Sequence, residues 1–408
     1  MKPRGPQLLV TMVFGTILLS AGAIQLGLEL SRGQVPQMFE LFSRMPSAAN
    51  LRAYEQRLED ESRLAGWLRP WMQYGQFLLL RDLGEKALAG RNGWYFYKPG
   101  VEFLTRRHAL PPAAEDPVAA IVDFRDRLAA RGIHLVVLPT PNKESIYPEQ
   151  LVRRTSALSP APGEPTRSVL RRLRSANVDV VDLFDLFARE KAAVHRVTDS
   201  PLYLAQDSHW SPAGVDAAAR TVAQHLVEGG WIKAGIVDYH PKAAPTVRLG
   251  DVLRMLNVPQ IETHTVAERI PTVRVIEAAT AQPYRDDPAS EILVLGDSFL
   301  RIYEQDEPGA AGFVAHLSKE LKRPVTSLIS DGGASTLVRQ ELHRRPALLR
   351  NKRVVVWEFV ERDLRLGTEG WQKVPLPDVP PGGQNERVHP VPRPLSKLPT
   401  SSASQFTP

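Results

Sequence analysis

The 408 residues include no cysteine. That absence excludes a disulfide scaffold, a thiolate metal site, a cysteine nucleophile and an iron–sulfur cluster, and leaves serine, carboxylate and histidine chemistry. It also suits an oxidising compartment, where a stray thiol is a liability. Long runs of one charge are missing too: 51 Lys and Arg against 45 Asp and Glu give +6, spread along the chain, so nucleic acid is not an expected partner. The mild excess suits an acidic polymer or a membrane surface. No H-E-x-x-H or second histidine cluster completes a metal-ligand set, and neither a metal nor a cofactor is expected. No internal repeat is present.

One apolar run is there. Lys2 and Arg4 in residues 1–7 precede residues 8–28, which carry no charge and one amide, Gln25. About 20 helical residues cross the hydrocarbon core, and a basic flank keeps the N-terminus in the cytoplasm. Ala21-Gly22-Ala23 would also fit a signal-peptidase site, but the run continues to Leu28, longer than the usual apolar stretch of such a peptide. The expectation is therefore a transmembrane signal anchor, single-pass in the cell inner membrane, with the body in the periplasm. Residues 29–89 hold a helical pattern through Leu51, Tyr54, Leu58 and Leu64 and read as a stalk or linker.

From residue 90 to 370, helical stripes alternate with short, continuously apolar runs. Asp116-Pro117 opens a helix through Ile121, Phe124 and Leu128, Gly132 closes it, and residues 134–138 follow as a strand. Further strands are expected at 178–181, 292–295, 325–329 and 354–359, with helices around 313–321 and 337–349 between the last three. Such alternation predicts an α/β sandwich with a mostly parallel sheet covered on both faces, whose ligands bind at the carboxyl ends of the strands. Residues 371–408 are proline-rich and read as a disordered tail.

Two strand-end and loop phrases carry chemistry. The strand 292–295 runs into Gly296-Asp297-Ser298-Phe299, which puts a hydroxyl at the sheet edge, where it could act as a nucleophile with its own N–H facing an oxyanion. An ordinary turn with a capping serine has the same composition. The second phrase is Gln206-Asp207-Ser208-His209-Trp210-Ser211-Pro212, in which Ser211-Pro212 opens a helix and Asp207 and His209 lie on the loop before it. A carboxylate two residues from an imidazole can hold its tautomer while the other ring nitrogen takes a proton from a hydroxyl. A capping Asp beside a packed His is the alternative.

With their D-x-H-W and G-D-S-F motifs, these residues resemble the SGNH-hydrolase-like acyltransferases of the alginate O-acetyltransferase family, the AlgJ/AlgX-like group. In ordinary SGNH esterases the serine block comes first. Here His209 precedes Ser298, which is similar to the circularly permuted order of that group. Gly93 to Tyr97, Pro141 to Pro148 and Val356-Trp357-Glu358 with Arg362 look like the same family. The resemblance implies a three-layer SGNH-like sandwich with Ser298 as nucleophile, His209 as general base and Asp207 orienting it. It also implies Trp210 packed behind the histidine loop and Lys143 and Tyr147 lining an acceptor cleft. Ordinary SGNH enzymes complete the oxyanion hole with a glycine and an asparagine. Residues 354–356 are followed directly by Trp357-Glu358 and not by an asparagine, so the backbone of Gly332 and Gly333 is the remaining candidate.

The implied reaction is O-acetyl transfer through an acetyl-serine onto hydroxyls of an exported, alginate-like polysaccharide. A multi-pass membrane-bound O-acyltransferase would supply the acetyl group. A carbohydrate ester hydrolase with the same three residues, and a non-catalytic membrane-tethered binding protein of a secretion complex, are the rival readings.

Overall fold

Valine, leucine and isoleucine runs without polar alternation form a parallel sheet, because a strand buried on both faces has no side to give to water. The computed structural model describes residues 5–36, 39, 47–80, 82–105, 116–153, 163–193, 201–256, 258–331, 333–366 and 370–377. They divide into two units, Met1–Ala89 with Asp251–Val266, and Gly90–Gly250 with Ala267–Pro408.

The larger unit carries five parallel strands: β1 (His134–Thr140), β2 (Asp179–Val180), β3 (Ile292–Gly296), β4 (Thr326–Ile329) and β5 (Val354–Val360). Their order is β4-β3-β5-β1-β2. The helices are α1 (Pro117–Ala129), α2 (Glu164–Ser175), α3 (Leu183–Ala193), α4 (Pro212–Glu228), α5 (Phe313–Leu321) and α6 (Leu337–Arg344). Ile121, Phe124 and Leu128 of α1, Leu170 and Leu173 of α2, and Val338 and Leu342 of α6 share one core with Leu135, Val137, Leu293, Leu295, Val355 and Trp357. Successive strand residues point to opposite faces. Val136, Leu138, Val294 and Val356 therefore face the other layer, where α3 touches β1 and α4 and α5 pack together. The chain leaves β1 for one edge, returns through β3 to the other, and ends in the centre on β5. That reversal places the ligand crevice at the carboxyl ends of β1, β3 and β5.

Local signals set the boundaries. Asp116 accepts the Val118 N–H at 3.1 Å and Pro117 takes the first helical position, where a missing N–H costs nothing. Gly132 and Asn177 leave α1 and α2 in left-handed backbone, with φ of 72° and 58°. The helix expected over 337–349 stops at Arg344, and Pro346 begins a separate 3-10 turn, because its ring cannot continue the hydrogen-bond ladder. Antiparallel strands between 239 and 283 were not foreseen: Tyr239–Ala243, Val273–Glu277 and Gln282–Pro283 form one sheet, and Thr246–Arg248 pairs with Glu268–Ile270.

The run 8–28 lies within a helix, Gly5–Leu30, but among the described residues no helix is long and apolar enough to cross a membrane. The last third of that helix carries two polar side chains: Gln25 donates to Glu29 at 2.6 Å and accepts from Ser62 Oγ at 3.2 Å, and Glu29 is buried. Helix Gly5–Leu30 therefore packs on helix Arg63–Leu80, whose Tyr74 ring lies 5.9 Å from that of His264, so residues 29–89 share a unit with 251–266. The first residues of the tail expected over 371–408 are ordered against the larger unit. Trp371 and Val374 are buried, with the Trp371 ring 5.3 Å from Phe359, whereas residues 378–408 lie outside the described residues.

Candidate active site

β3 ends on Gly296. A Cβ there would stand 2.5 Å from Leu300 and 2.6 Å from Glu358 Oε2, so only glycine permits this approach. Asp297 then caps a helical turn, Ser298–Arg301, by accepting the Phe299 N–H at 2.8 Å. Within 292–300 only Ser298 is not buried, so its hydroxyl opens from the carboxyl edge of the sheet. Behind it, Glu358 of β5 accepts the Asp297 N–H at 3.3 Å. Burial pushes the Glu358 carboxyl well above its usual range and the Asp297 charge adds to this; burial also raises Asp297, against the opposing charge of Arg362.

The loop 201–211 approaches from the other side. His209 Nε2 lies 2.8 Å from Ser298 Oγ, and His209 Nδ1 lies 2.6 Å from Asp207 Oδ1. Asp207 is fully buried and also accepts the His209 backbone N–H at 3.1 Å. A carboxylate at Nδ1 keeps the proton on that nitrogen and leaves Nε2 as the acceptor facing the serine. The second oxygen, Asp207 Oδ2, accepts from Arg248 Nε at 3.1 Å, and Arg248 also bonds Asp306 at 3.0 Å. Both carboxylates favour the charged guanidinium against the cost of its burial.

Phe299 joins the two pieces. Its carbonyl accepts from Trp210 Nε1 at 3.0 Å, and its ring lies 4.8 Å from the His209 ring and 5.3 Å from that of Trp210. Trp210, fully buried and stacked on Phe313, thus packs behind the histidine loop. Ser298, His209, Asp207 and Trp210, expected to act together, are together.

Lys143 and Tyr147 were expected to line a cleft, and their surroundings correct that. Both are 2 % exposed. The Lys143 ammonium donates to the carbonyls of Tyr95, Leu204, Ala205 and Asp207 at 2.5–2.9 Å. Tyr147 Oη accepts the Leu202 N–H at 3.0 Å, and burial pushes its phenol up to about 12. Both groups go inward because the loop 201–211 carries backbone polar groups that no strand or helix satisfies. The Gly333 N–H donates to Ser330 O at 3.1 Å, which turns it away from an oxyanion role; Gly332 lies outside the described residues.

The sequence reading assigned no role to Arg248 or to Glu268, which accepts the N–H groups of Ala205 and Gln206 at 2.9 and 2.8 Å. Nothing local marks either residue. It also left Glu358 without a role. That residue and Glu361, which accepts from Asn142 N, Ser145 Oγ and Thr166 Oγ1, carry a visible signal: acids in and just after an otherwise apolar strand. Burial likewise lifts Glu144, on the turn after β1, to about 7.

Over 314 residues the chain is 23 % identical to the "Probable alginate O-acetylase AlgJ" of Pseudomonas aeruginosa, covering 72 % of this chain and 74 % of that one. Its namesake in Pseudomonas putida is 23 % identical over 301 residues, 71 % and 72 % of the two chains. Among solved structures, the O-acetyltransferase domain of Pseudomonas putida AlgJ shares the fold with a TM-score of 0.55 at 21 % identity, covering 69 % of this chain and 92 % of that one. Pseudomonas aeruginosa AlgX does so with a TM-score of 0.52 at 17 % identity, over 69 % and 64 %. The model of the SGNH hydrolase-like domain of acetyltransferase AlgX matches residues 87–361, more than half of the chain, and the protein belongs to that family.

Proposed function

We propose that this protein is an O-acetyltransferase that moves an acetyl group through an acetyl-Ser298 intermediate onto hydroxyls of an alginate-like polysaccharide. The observation that carries the reading is the hydrogen-bonded series Asp207, His209 Nδ1, His209 Nε2 and Ser298 Oγ, at 2.6 and 2.8 Å, at the carboxyl edge of the sheet. The polysaccharide rests on the AlgJ relatives, whose names specify alginate O-acetylation.

In the first step His209 Nε2 takes the Ser298 proton as Oγ attacks the acetyl carbonyl of the donor. The donor's ester bond breaks, and its leaving oxygen takes that proton back from the imidazolium. In the second, His209 deprotonates a sugar hydroxyl, which attacks the acetyl-serine and returns Ser298 Oγ protonated. Buried Asp207 keeps Nε2 basic and stabilises the imidazolium in both steps. The Ser298 N–H, at the start of its helical turn, is the proposed oxyanion donor.

Acetyl-CoA is cytoplasmic, so action outside the cytoplasm calls for a donor that hands acetyl across the membrane, here a membrane-bound O-acyltransferase. The apolar run of residues 8–28, with Leu9, Val10, Met12, Val13, Phe14 and Leu19 exposed, supports a place beside such a partner. Cell fractionation tests this: recovery in the soluble cytoplasmic fraction would sink it.

Intact-protein mass after incubation with an aryl acetate tests the intermediate. One acetyl adduct is expected in the wild type and none in Ser298→Ala, and oligoalginate should discharge the adduct with acetyl found on the sugar. Free acetate at the same rate with or without sugar would identify a hydrolase instead, and no adduct under any donor a binding protein.

A further inference from the structure

Four backbone carbonyls converge on one point inside the larger unit, those of Tyr95, Leu204, Ala205 and Asp207, and the Lys143 ammonium occupies it at 2.5–2.9 Å. The rings of Trp94 and Phe96 face the same nitrogen, with centroids 5.1 and 5.0 Å away. Carbonyl oxygens so placed repel one another unless a cation lies between them, and burial strengthens that repulsion. Three of the four come from the stretch 204–207, where no regular strand or helix enforces the curvature. The fourth belongs to strand Tyr95–Tyr97. Asp207 offers its carbonyl to Lys143 while its carboxylate holds His209.

We propose that Lys143 is a tethered counter-ion that bends the loop around its ammonium and so sets Asp207 and His209 against Ser298. It is a positioning residue, since it acts through Asp207. The inference rests on the acyl-transfer reading of that site. It also implies that removing the side chain leaves a cation site, lined by carbonyls and two aromatic faces, of a size for the fragment removed, n-propylammonium.

The wild type is first acetylated at Ser298, a step that succeeds or fails with the proposed function alone. In Lys143→Ala the rate of that acetylation is expected to fall about 100-fold, the usual consequence of a misplaced catalytic group. It should recover with saturation in n-propylammonium chloride and not in tetramethylammonium chloride, which is too bulky and has no N–H to donate. A second readout needs no turnover: the low-field proton resonance of the His209–Asp207 bond should vanish in the variant and return with n-propylammonium. Lys143→Met keeps the volume without the charge and should lose both signals with no recovery; it carries the test if Lys143→Ala fails to fold. An unchanged resonance in either variant, or a loss that n-propylammonium does not repair in Lys143→Ala, overturns the proposal. A wild type without a Ser298 adduct, whose resonance still follows the cation, overturns the function and leaves the positioning role standing.

Discussion

The turn carrying Ser298 and the loop carrying His209 reach the same point by different means. The serine follows a fully buried strand, and three consecutive residues, Gly296, Asp297 and Ser298, set its geometry by a close approach and a cap. The histidine loop is held from elsewhere. Arg248 and Glu268 come from paired antiparallel strands, Tyr147 from the turn after β1, and the Tyr203 hydroxyl ties back to Pro141 O. Hydrogen bonds to groups far away in sequence thus replace what β3 does for the serine through its own backbone. The histidine side should therefore lose activity through remote substitutions, and the serine side through local ones.

The largest effect that probes this contrast is Asp207→Asn. It keeps the shape but lets the imidazole adopt the wrong tautomer, and kcat for acetyl transfer should fall about 10³- to 10⁴-fold. Next is Arg248→Met, remote in sequence from both motifs, for which about a tenfold or greater loss is expected, as for partners that orient a ligating or catalytic group. Removing a cation near the Asp207–His209 pair favours the imidazolium, so the acidic limb of the pH–rate profile should move to higher pH. A profile that stays in place would mean that Arg248 only fills space. On the serine side, Gly296→Ala pushes a Cβ against Leu300 and Glu358 and should lower stability by about 1–3 kcal/mol in urea unfolding. If its activity loss per unit of stability lost were smaller than that of Arg248→Met, the local character of the serine turn would be in question.

The smallest effect lies away from the site. Asp179 of β2 accepts from His134 and His225, each at 2.8 Å; despite its burial these partners hold its carboxyl well below the usual range, and its hydrogen bond raises His225. A depressed carboxyl stabilises the fold above its unfolded value of about 4 and stops doing so as pH falls through the folded value. A raised histidine contributes fully below about 6.5 and loses that contribution as pH rises through its folded value. The clamp is therefore strongest between those limits. In thermal melts, His225→Gln should flatten the decline on the alkaline side and leave the pH–rate profile unmoved.

The legible parts were those with short-range causes. The strand 292–296, the cap at Asp116, the Ser211-Pro212 start of α4 and the G-D-S turn are each decided within a few residues. The antiparallel strands between 239 and 283 were missed because no sustained alternation marks them; His240, Pro241 and Lys242 lie consecutively in one strand. Lys143 and Tyr147 were placed at a cleft by the family resemblance, which says nothing of the groups their side chains meet. Here the unsatisfied carbonyls and amides of the histidine loop repay their burial.

By itself, the sequence determined the parallel sheet and the strand whose end presents Ser298, and it excluded thiol chemistry, since no cysteine exists. Hydrophobic period, capping and composition act over one or two turns of chain, and they suffice for that. Only the tertiary structure decided that His209, 89 residues before Ser298, comes within 2.8 Å of it, and that Arg248 and Lys143 turn inward to hold the loop. Whether a charged side chain meets water or a buried partner depends on groups supplied from distant parts of the chain, and pairing of that kind has no local signature.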